Sequence, residues 1–333
     1  MYERAAALGG TSQSSGQHAL LYGALAQVER YAYDEALELL SKLDKLPMTA
    51  YVAYVSNWTR GVILNRRSQF SASKAALEQA LGAARAYQRT SGYGLRRDIA
   101  DITNLLGEIA VSLGNVAEGE RLIGEAQRAA LDDSQLLGLI HNNLGYVHLQ
   151  RADSDRTSAR SKHLARSIEE HLRAQTYSSR AADRQELSGI ENNLATLYER
   201  VGDLRGARAH YEAALQLIDD TDDPLRFKYL YRGLGNIYLT LGDYPKAERY
   251  LQAALTISEQ HEGEREIRLY CQVGIARRQQ GRLAEAVAAH LLCRERAAAA
   301  SNIRVHAEAL SELTIDYPIW RSEERRVGKE CRS

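Results

Sequence analysis

The chain has 333 residues, 44% of them hydrophobic and 26% charged, with 43 basic residues against 43 acidic ones. This even balance leaves no basic field for nucleic acid, and no apolar run approaches the roughly 20 residues of a membrane span. The amino terminus lacks the basic-then-apolar pattern of an export signal, so a cytoplasmic location is expected.

One phrase recurs along the chain. A Leu-Gly or Leu-Ala pair is followed by an apolar or aromatic residue three on, a Gly-Asp-like turn, and small residues at helical spacing. In chain order, Tyr2 to Ala5 already reads as a second helix, so the chain is expected to open in mid-unit as an internal fragment. Gly9-Gly10 through Gly16 is read as a turn between helices; Gln17-His18 stands where a phosphate loop needs Lys-Ser/Thr. Weak copies follow at Ala24, Tyr33, Ala36, Leu40 and at Gly61, Leu64, Phe70, Ser73, Leu77, Ala80. A clear copy comes next: Leu106-Gly107, Ala110, Gly114-Asn115, Gly119, Ile123, Ala126. Then come Leu144-Gly145, His148, Leu164, Ser167, His171 and Ala174, with a polar insertion from Gln150 to Ser161 that reads as an extended hairpin or a polar loop.

The clearest copies are Leu194-Ala195, Tyr198, Gly202-Asp203, Ala207, Tyr211, Ala214 and Leu234-Gly235, Tyr238, Gly242-Asp243, Ala247, Leu251, Ala254. Val273-Gly274, Arg277, Gly281-Arg282, Ala286, His290 and Cys293 complete the series. In the clear copies the step from turn glycine to small residue is five, then four and three. Steps of four and three keep residues on one side of a helix, so each copy predicts a helix hairpin with buried facing stripes. The turn glycine ends the first helix with φ > 0, and Asn115, Asp203 and Asp243 stand where the second is capped. Asp219, Asp220, Asp222 and Asp223 form an acidic cluster without the glycine and distal glutamate of a calcium loop; Asp222 or Asp223 is expected to cap a helix that Pro224 opens. Pro47, Pro224, Pro245 and Pro318 are read as seams. His148, His171 and His290 are expected as packed core histidines, and Cys271 and Cys293 as buried free thiols.

These residues resemble the tetratricopeptide repeat (TPR), over nearly the whole chain. The close-packing Gly or Ala recurs at 24, 61, 107, 145, 195, 235 and 274, a longer period than the usual 34 or so residues. It is similar to the long-period TPR arrays of kinesin light chain and bacterial regulators. The resemblance implies an all-α right-handed superhelix, an α-solenoid of about seven helix hairpins over residues 1–320, open at both ends. Residues 321–333 resemble a translated sequencing adapter and are expected to be a disordered tail.

The resemblance implies a non-catalytic scaffold that binds a peptide or protein segment in a concave groove lined by the first helices. Amides just before the Leu-Gly pair (Asn142, Asn143, Asn192, Asn193 and Gln272) would clamp a peptide backbone, since an amide donates and accepts at once. Tyr146, Thr196 and Asn236 would border that surface, and Arg232 and Arg268 would favour an acidic ligand. Leu105 and Gly233 interrupt the row. The alternative is a sensor or oligomerisation region of a larger bacterial signalling or transcription-regulatory protein. No catalytic residue, metal or cofactor is expected, nor a nucleic-acid or membrane partner; self-association through open solenoid ends is.

Overall fold

The computed structural model describes residues 15–219, 223–261 and 266–330, with the backbone alone at Ser15, His261, Trp320 and 322–330. Tyr2–Ala5, most of the Gly9–Gly16 turn, Asp220 and Asp222 lie outside the described residues. Among those residues the elements are all α-helices: α1 (Ser15–Glu29), α2 (Tyr33–Leu43), α3 (Ala50–Arg66), α4 (Phe70–Ser91), α5 (Arg96–Ser112), α6 (Val116–Ala130), α7 (Ser134–Ser154) and α8 (Ala159–Arg180). There follow α9 (Arg184–Arg200), α10 (Leu204–Gln216), α11 (Pro224–Leu241), α12 (Tyr244–His261), α13 (Arg268–Gln279), α14 (Leu283–Ala299) and α15 (Ile303–Glu330). The all-α hairpin fold read from the sequence is the fold the chain adopts. Two compact units divide it, residues 1–186 and 187–333.

Apart from α7–α8, the hairpins of each unit close in one way. The chain leaves the first helix through a residue with φ > 0, and the next N–H bonds back to a carbonyl five residues earlier. In the first unit this bond is Asn115 N to Ala110 O at 2.8 Å, after Gly114 at φ +87°. The second unit repeats it at Asp203 N to Tyr198 O (2.9 Å), Asp243 N to Tyr238 O (3.0 Å) and Arg282 N to Arg277 O (3.0 Å). The same bond closes the first two hairpins, but there Tyr31 and Ser68 take φ +58°, a conformation costing an L-residue roughly 1–2 kcal/mol. Those hairpins therefore lack a visible turn glycine. Asp203 and Asp243 cap their helices, accepting from Gly206 N (2.9 Å) and Lys246 N (3.3 Å), whereas the Asn115 side chain makes no cap bond. Asp223 caps α11 by accepting from Leu225 N at 2.9 Å, with Pro224 in the first turn.

Small residues let the paired helices approach. A Cβ on Gly107 would lie 2.6 Å from Ile123 Cγ1 and 2.9 Å from the Gly119 carbonyl, and one on Gly235 would lie 2.6 Å from Leu251 Cγ. Ser73 and Ser167 turn the contact into a bond, donating to the Gly61 and Gly145 carbonyls at 2.6 and 2.7 Å. The insertion after Gln150 lengthens α7 and α8 to 21 and 22 residues, leaving only a short link between them. It is an extended hairpin, braced by Arg151 Nη2 on Glu120 Oε2 at 2.5 Å.

Four sequence expectations are corrected. Cys271 on α13 and Cys293 on α14 are not free thiols: they form a disulfide, their Cα atoms 5.6 Å apart, because each stands at a close-packing point of the same hairpin. Pro318 lies inside α15 rather than at a seam. The segment expected to be disordered from Arg321 continues α15 to Glu330, as its Glu-, Arg- and Lys-rich composition favours helix. His148 is not a satisfied core histidine, for its Nδ1 has no hydrogen-bond partner. By contrast, buried His171 Nδ1 lies 2.8 Å from Ser167 O, and buried His290 bridges Asp316 Oδ2 (2.5 Å) and Cys271 O (3.0 Å).

Two stability experiments follow. Gly107→Ala should cost about 1–3 kcal/mol, because the Cβ meets backbone that cannot move aside. Gly82→Ala, in α4 with nothing within 4 Å of the added carbon, should gain up to about 1 kcal/mol of helix propensity; urea melts of both variants check the pair. Reducing the disulfide, which spans 22 residues, should cost the second unit about 3 kcal/mol, measured by the same melts with and without reductant.

Candidate functional site

First helices build a cavity in the first unit. It holds about 380 Å³ and is lined from α3 by Trp58, Val62, Asn65 and Arg66, and from α5 by Asp101, Asn104, Leu105 and Glu108. Leu139, Asn142 and Asn143 of α7 and Glu186 of α9 complete it. The lining residues of α3 and α5 recur at steps of three and four, so each helix offers one face. Trp58 is held by stacking on Tyr54, ring centres 6.2 Å apart, and the Tyr54 hydroxyl donates to Asp98 Oδ2 at 3.3 Å.

Glu108 is the hub. Its Oε1 accepts from Asn65 Nδ2 at 3.0 Å and its Oε2 from Asn143 Nδ2 at 3.5 Å, which joins α3, α5 and α7 through one carboxylate. Asn143, expected in the amide row, spends an N–H on this acid, which lies one turn from Leu105. Burial pushes the Glu108 carboxyl above its usual range, against the two amide bonds and the nearby Arg66. Burial also pushes Asp101 up to about 6; Asp98 and Asp133 act the same way and Arg97 opposes them. Arg97 is engaged elsewhere, with Nε 2.5 Å from Asp133 Oδ2 and Nη2 donating to Gln135 Oε1 at 2.6 Å. Asn104 is 3% exposed, and its Oδ1 and that of Asn65 are buried acceptors without a hydrogen-bond partner.

The expected site residues fall into two groups. Asn142 and Asn143 line the cavity, and Tyr146 follows one turn later on α7. Asn192, Asn193, Thr196, Arg232, Asn236, Arg268 and Gln272 belong to the second unit. There they largely bond within the protein. Gln272 Nε2 donates to Asn236 Oδ1 at 2.5 Å, and Thr196 Oγ1 bonds the Asn192 carbonyl (3.0 Å) and meets the Tyr211 hydroxyl (3.3 Å). Arg232 pairs with Glu266 at 2.8 Å and Arg268 with Glu308 at 3.0 Å. Their charges are met by carboxylates, which removes the reason to expect an acidic ligand there. Lys228, 1% exposed, approaches the same Glu266 at 3.6 Å.

Sequence reasoning missed Asn65, Asp101, Asn104 and Glu108. The available signal was the set Asp101, Asn104 and Glu108 at steps of three and four along α5. Among the described residues no group of three His, Cys, Asp or Glu side chains could hold a metal ion, and no helix is long and apolar enough to cross a membrane.

The repeat geometry has a sequence counterpart. A tetratricopeptide-repeat family profile matches residues 186–260 and again 226–299. Residues 186–299 are tetratricopeptide repeats by this match. No curated protein matches it in sequence. Solved TPR-type structures share the fold. The Rap protein complexed with Competence and Sporulation Factor is 12% identical with TM-score 0.59, covering 96% of this chain and 91% of its own. NprR in complex with its cognate peptide NprX is 13% identical with TM-score 0.55, covering 83% and 77%. A STAND signal transduction ATPase with a TPR sensor from Pyrococcus horikoshii is 12% identical with TM-score 0.59. That match takes in 98% of this chain but only 53% of the ATPase, so this chain spans about half that protein's length.

The raised Asp101 carboxyl gives a pH signature. A native carboxyl that holds its proton to about pH 6, against 3.8 for the usual value, makes the fold less stable as pH rises between those values. Asp101→Asn should therefore exceed the wild type in stability above pH 6, by up to about 3 kcal/mol, with the advantage closing as pH falls to 4. Urea melts from pH 4 to 8 read this directly; an advantage independent of pH would contradict it.

Proposed function

We propose that this protein is a non-catalytic scaffold that binds a peptide or protein segment along the first-helix face of its repeats. The observation that carries the reading is the cavity between α3, α5, α7 and the start of α9, with two buried carboxamide oxygens aimed at nothing in the protein. A buried acceptor left unpaired costs about 1–3 kcal/mol, a cost that a ligand N–H would remove. Asn142, Asn143 and Tyr146 border the segment in the first unit. Asn192, Asn193, Thr196, Asn236 and Gln272, with Arg232 and Arg268, are proposed for the first-helix face of the second unit taken by itself. There the residues already bonded to one another shape the surface more than they supply free bonding groups. NprR, of the same fold, is bound to a peptide in its own structure, which supports this class of ligand over a small metabolite.

A second reading has its own support. This chain overlays only about half of the STAND ATPase, a protein whose TPR part is a sensor. Under that reading the same surface is the input site of a larger signalling protein, and ligand binding changes self-association of the array. Light scattering with and without a selected peptide separates the two readings, since a scaffold keeps its mass apart from the ligand.

Asn104→Leu gives the sharpest mutational test of binding. Replacing an orphaned buried amide by an apolar side chain of similar size should leave stability unchanged or raised. A peptide selected on the wild type from a random display library should lose at least tenfold in affinity for this variant, and for Asn143→Ala. Unchanged affinity for both would contradict the proposed surface.

A further inference from the structure

The first-unit cavity is acidic as well as concave. Asp101, Glu108 and Glu186 line it against one cation, Arg66. Among the described residues no ion pair joins Asp101 or Glu108 to a lysine or arginine; Arg97, whose charge acts on Asp101, is committed to Asp133 and Gln135. Three buried side-chain atoms of the lining lack a hydrogen-bond partner among the described residues, and all are acceptors: Asn65 Oδ1, Asn104 Oδ1 and Glu186 Oε1. The Asn65 amide nitrogen already donates to Glu108. A surface offering carboxylates and carbonyl oxygens together asks for a ligand with several N–H donors and a positive charge.

Trp58 narrows the choice. Its indole, 6% exposed, lies in the cavity wall with these carboxylates, and an indole suits a planar cation whose edge donates. Guanidinium carries five N–H donors in one plane, whereas an ammonium presents three from a point. The wall residues Val62, Leu105 and Leu139 are apolar, and suit the methylene stem that precedes such a head group.

We propose that this cavity binds the guanidinium of an arginine side chain carried by the bound segment, with Asp101 and Glu108 as the anionic partners and Asn65 and Asn104 as neutral acceptors. The inference rests on the peptide-binding reading for its source of arginine, and it replaces the acidic ligand expected from Arg232 and Arg268. It assigns specificity to the first unit, whereas the family profile matches only from residue 186 onward.

The test titrates the intact chain with three fragments by ligand-observed NMR: N-acetyl-arginine amide, N-acetyl-lysine amide and N-acetyl-citrulline amide. Citrulline keeps the shape and loses the charge. The arginine fragment should bind, the lysine fragment more weakly, and citrulline at least tenfold more weakly than arginine. Glu108→Gln and Asp101→Asn should each reduce arginine binding at least fivefold, while Arg121→Gln on the exposed face of α6 should not. If Glu108→Gln fails to fold, Asp101→Asn carries the test alone. Equal binding of citrulline and arginine would overturn the proposal. So would arginine binding unchanged in a folded Asp101→Asn or Glu108→Gln variant. The two readings fail separately. Arginine-fragment binding without any peptide selected from a display library would reject the peptide groove and keep the cation pocket. Selected peptides without a preferred arginine position would keep the groove and reject the pocket.

Discussion

Close approach of two helices at one small residue is the contact on which every hairpin here depends. At Gly107 the partner helix comes so near that its own backbone, the Gly119 carbonyl, would sit 2.9 Å from an added Cβ. At Gly61 and Gly145 the same proximity brings a serine hydroxyl onto the glycine carbonyl. A helix hairpin this tight buries little apolar surface of its own and must pass the remainder to its neighbours, so that stability accrues from stacking. The consequence for function is geometric. Second helices are spent on packing, and the free face of each first helix is left to form a surface.

That surface has its own internal chemistry. In the first unit one carboxylate, Glu108, ties together amides from the helices before and after it. The bonds fix where the acid points, while burial raises the energetic demand for a cation or a proton. Asp101 stands one face-repeat away under the same demand. In the second unit comparable positions are closed by pairs within the protein, Arg232 with Glu266 and Arg268 with Glu308. The first unit thus carries an open acidic pocket, and the second carries closed ion pairs. The difference lies in whether each charge found a partner on the adjacent helix.

Much of this organisation is legible in the sequence, and the exceptions have physical reasons. Gly114, Gly202, Gly242 and Gly281 announce their turns because glycine adopts φ > 0 without strain. Tyr31 and Ser68 make the same turn with strain that tertiary packing holds in place, so composition cannot reveal them. The amides Asn142 and Asn143 were readable from their place before Leu-Gly. Glu108 and Asn104 were not, because an acid and an amide on a helix are usually solvated, and only stacking of α3 and α7 on either side buries them. The disulfide escaped notice for a related reason: Cys271 and Cys293 meet only once the hairpin closes. Arg232 and Arg268 looked like ligand-facing cations because their carboxylate partners lie more than thirty residues away in the chain.

The central claim is that ligand lies on the first-helix face of the first unit, and photocross-linking reads that position directly. A photoreactive phenylalanine derivative at Leu139, in the cavity wall, should form an adduct with a peptide selected from a display library. The same group at Leu172, exposed on the second helix α8, should form none. Adducts from Leu172 and not from Leu139 would place the ligand on the opposite face and contradict the account.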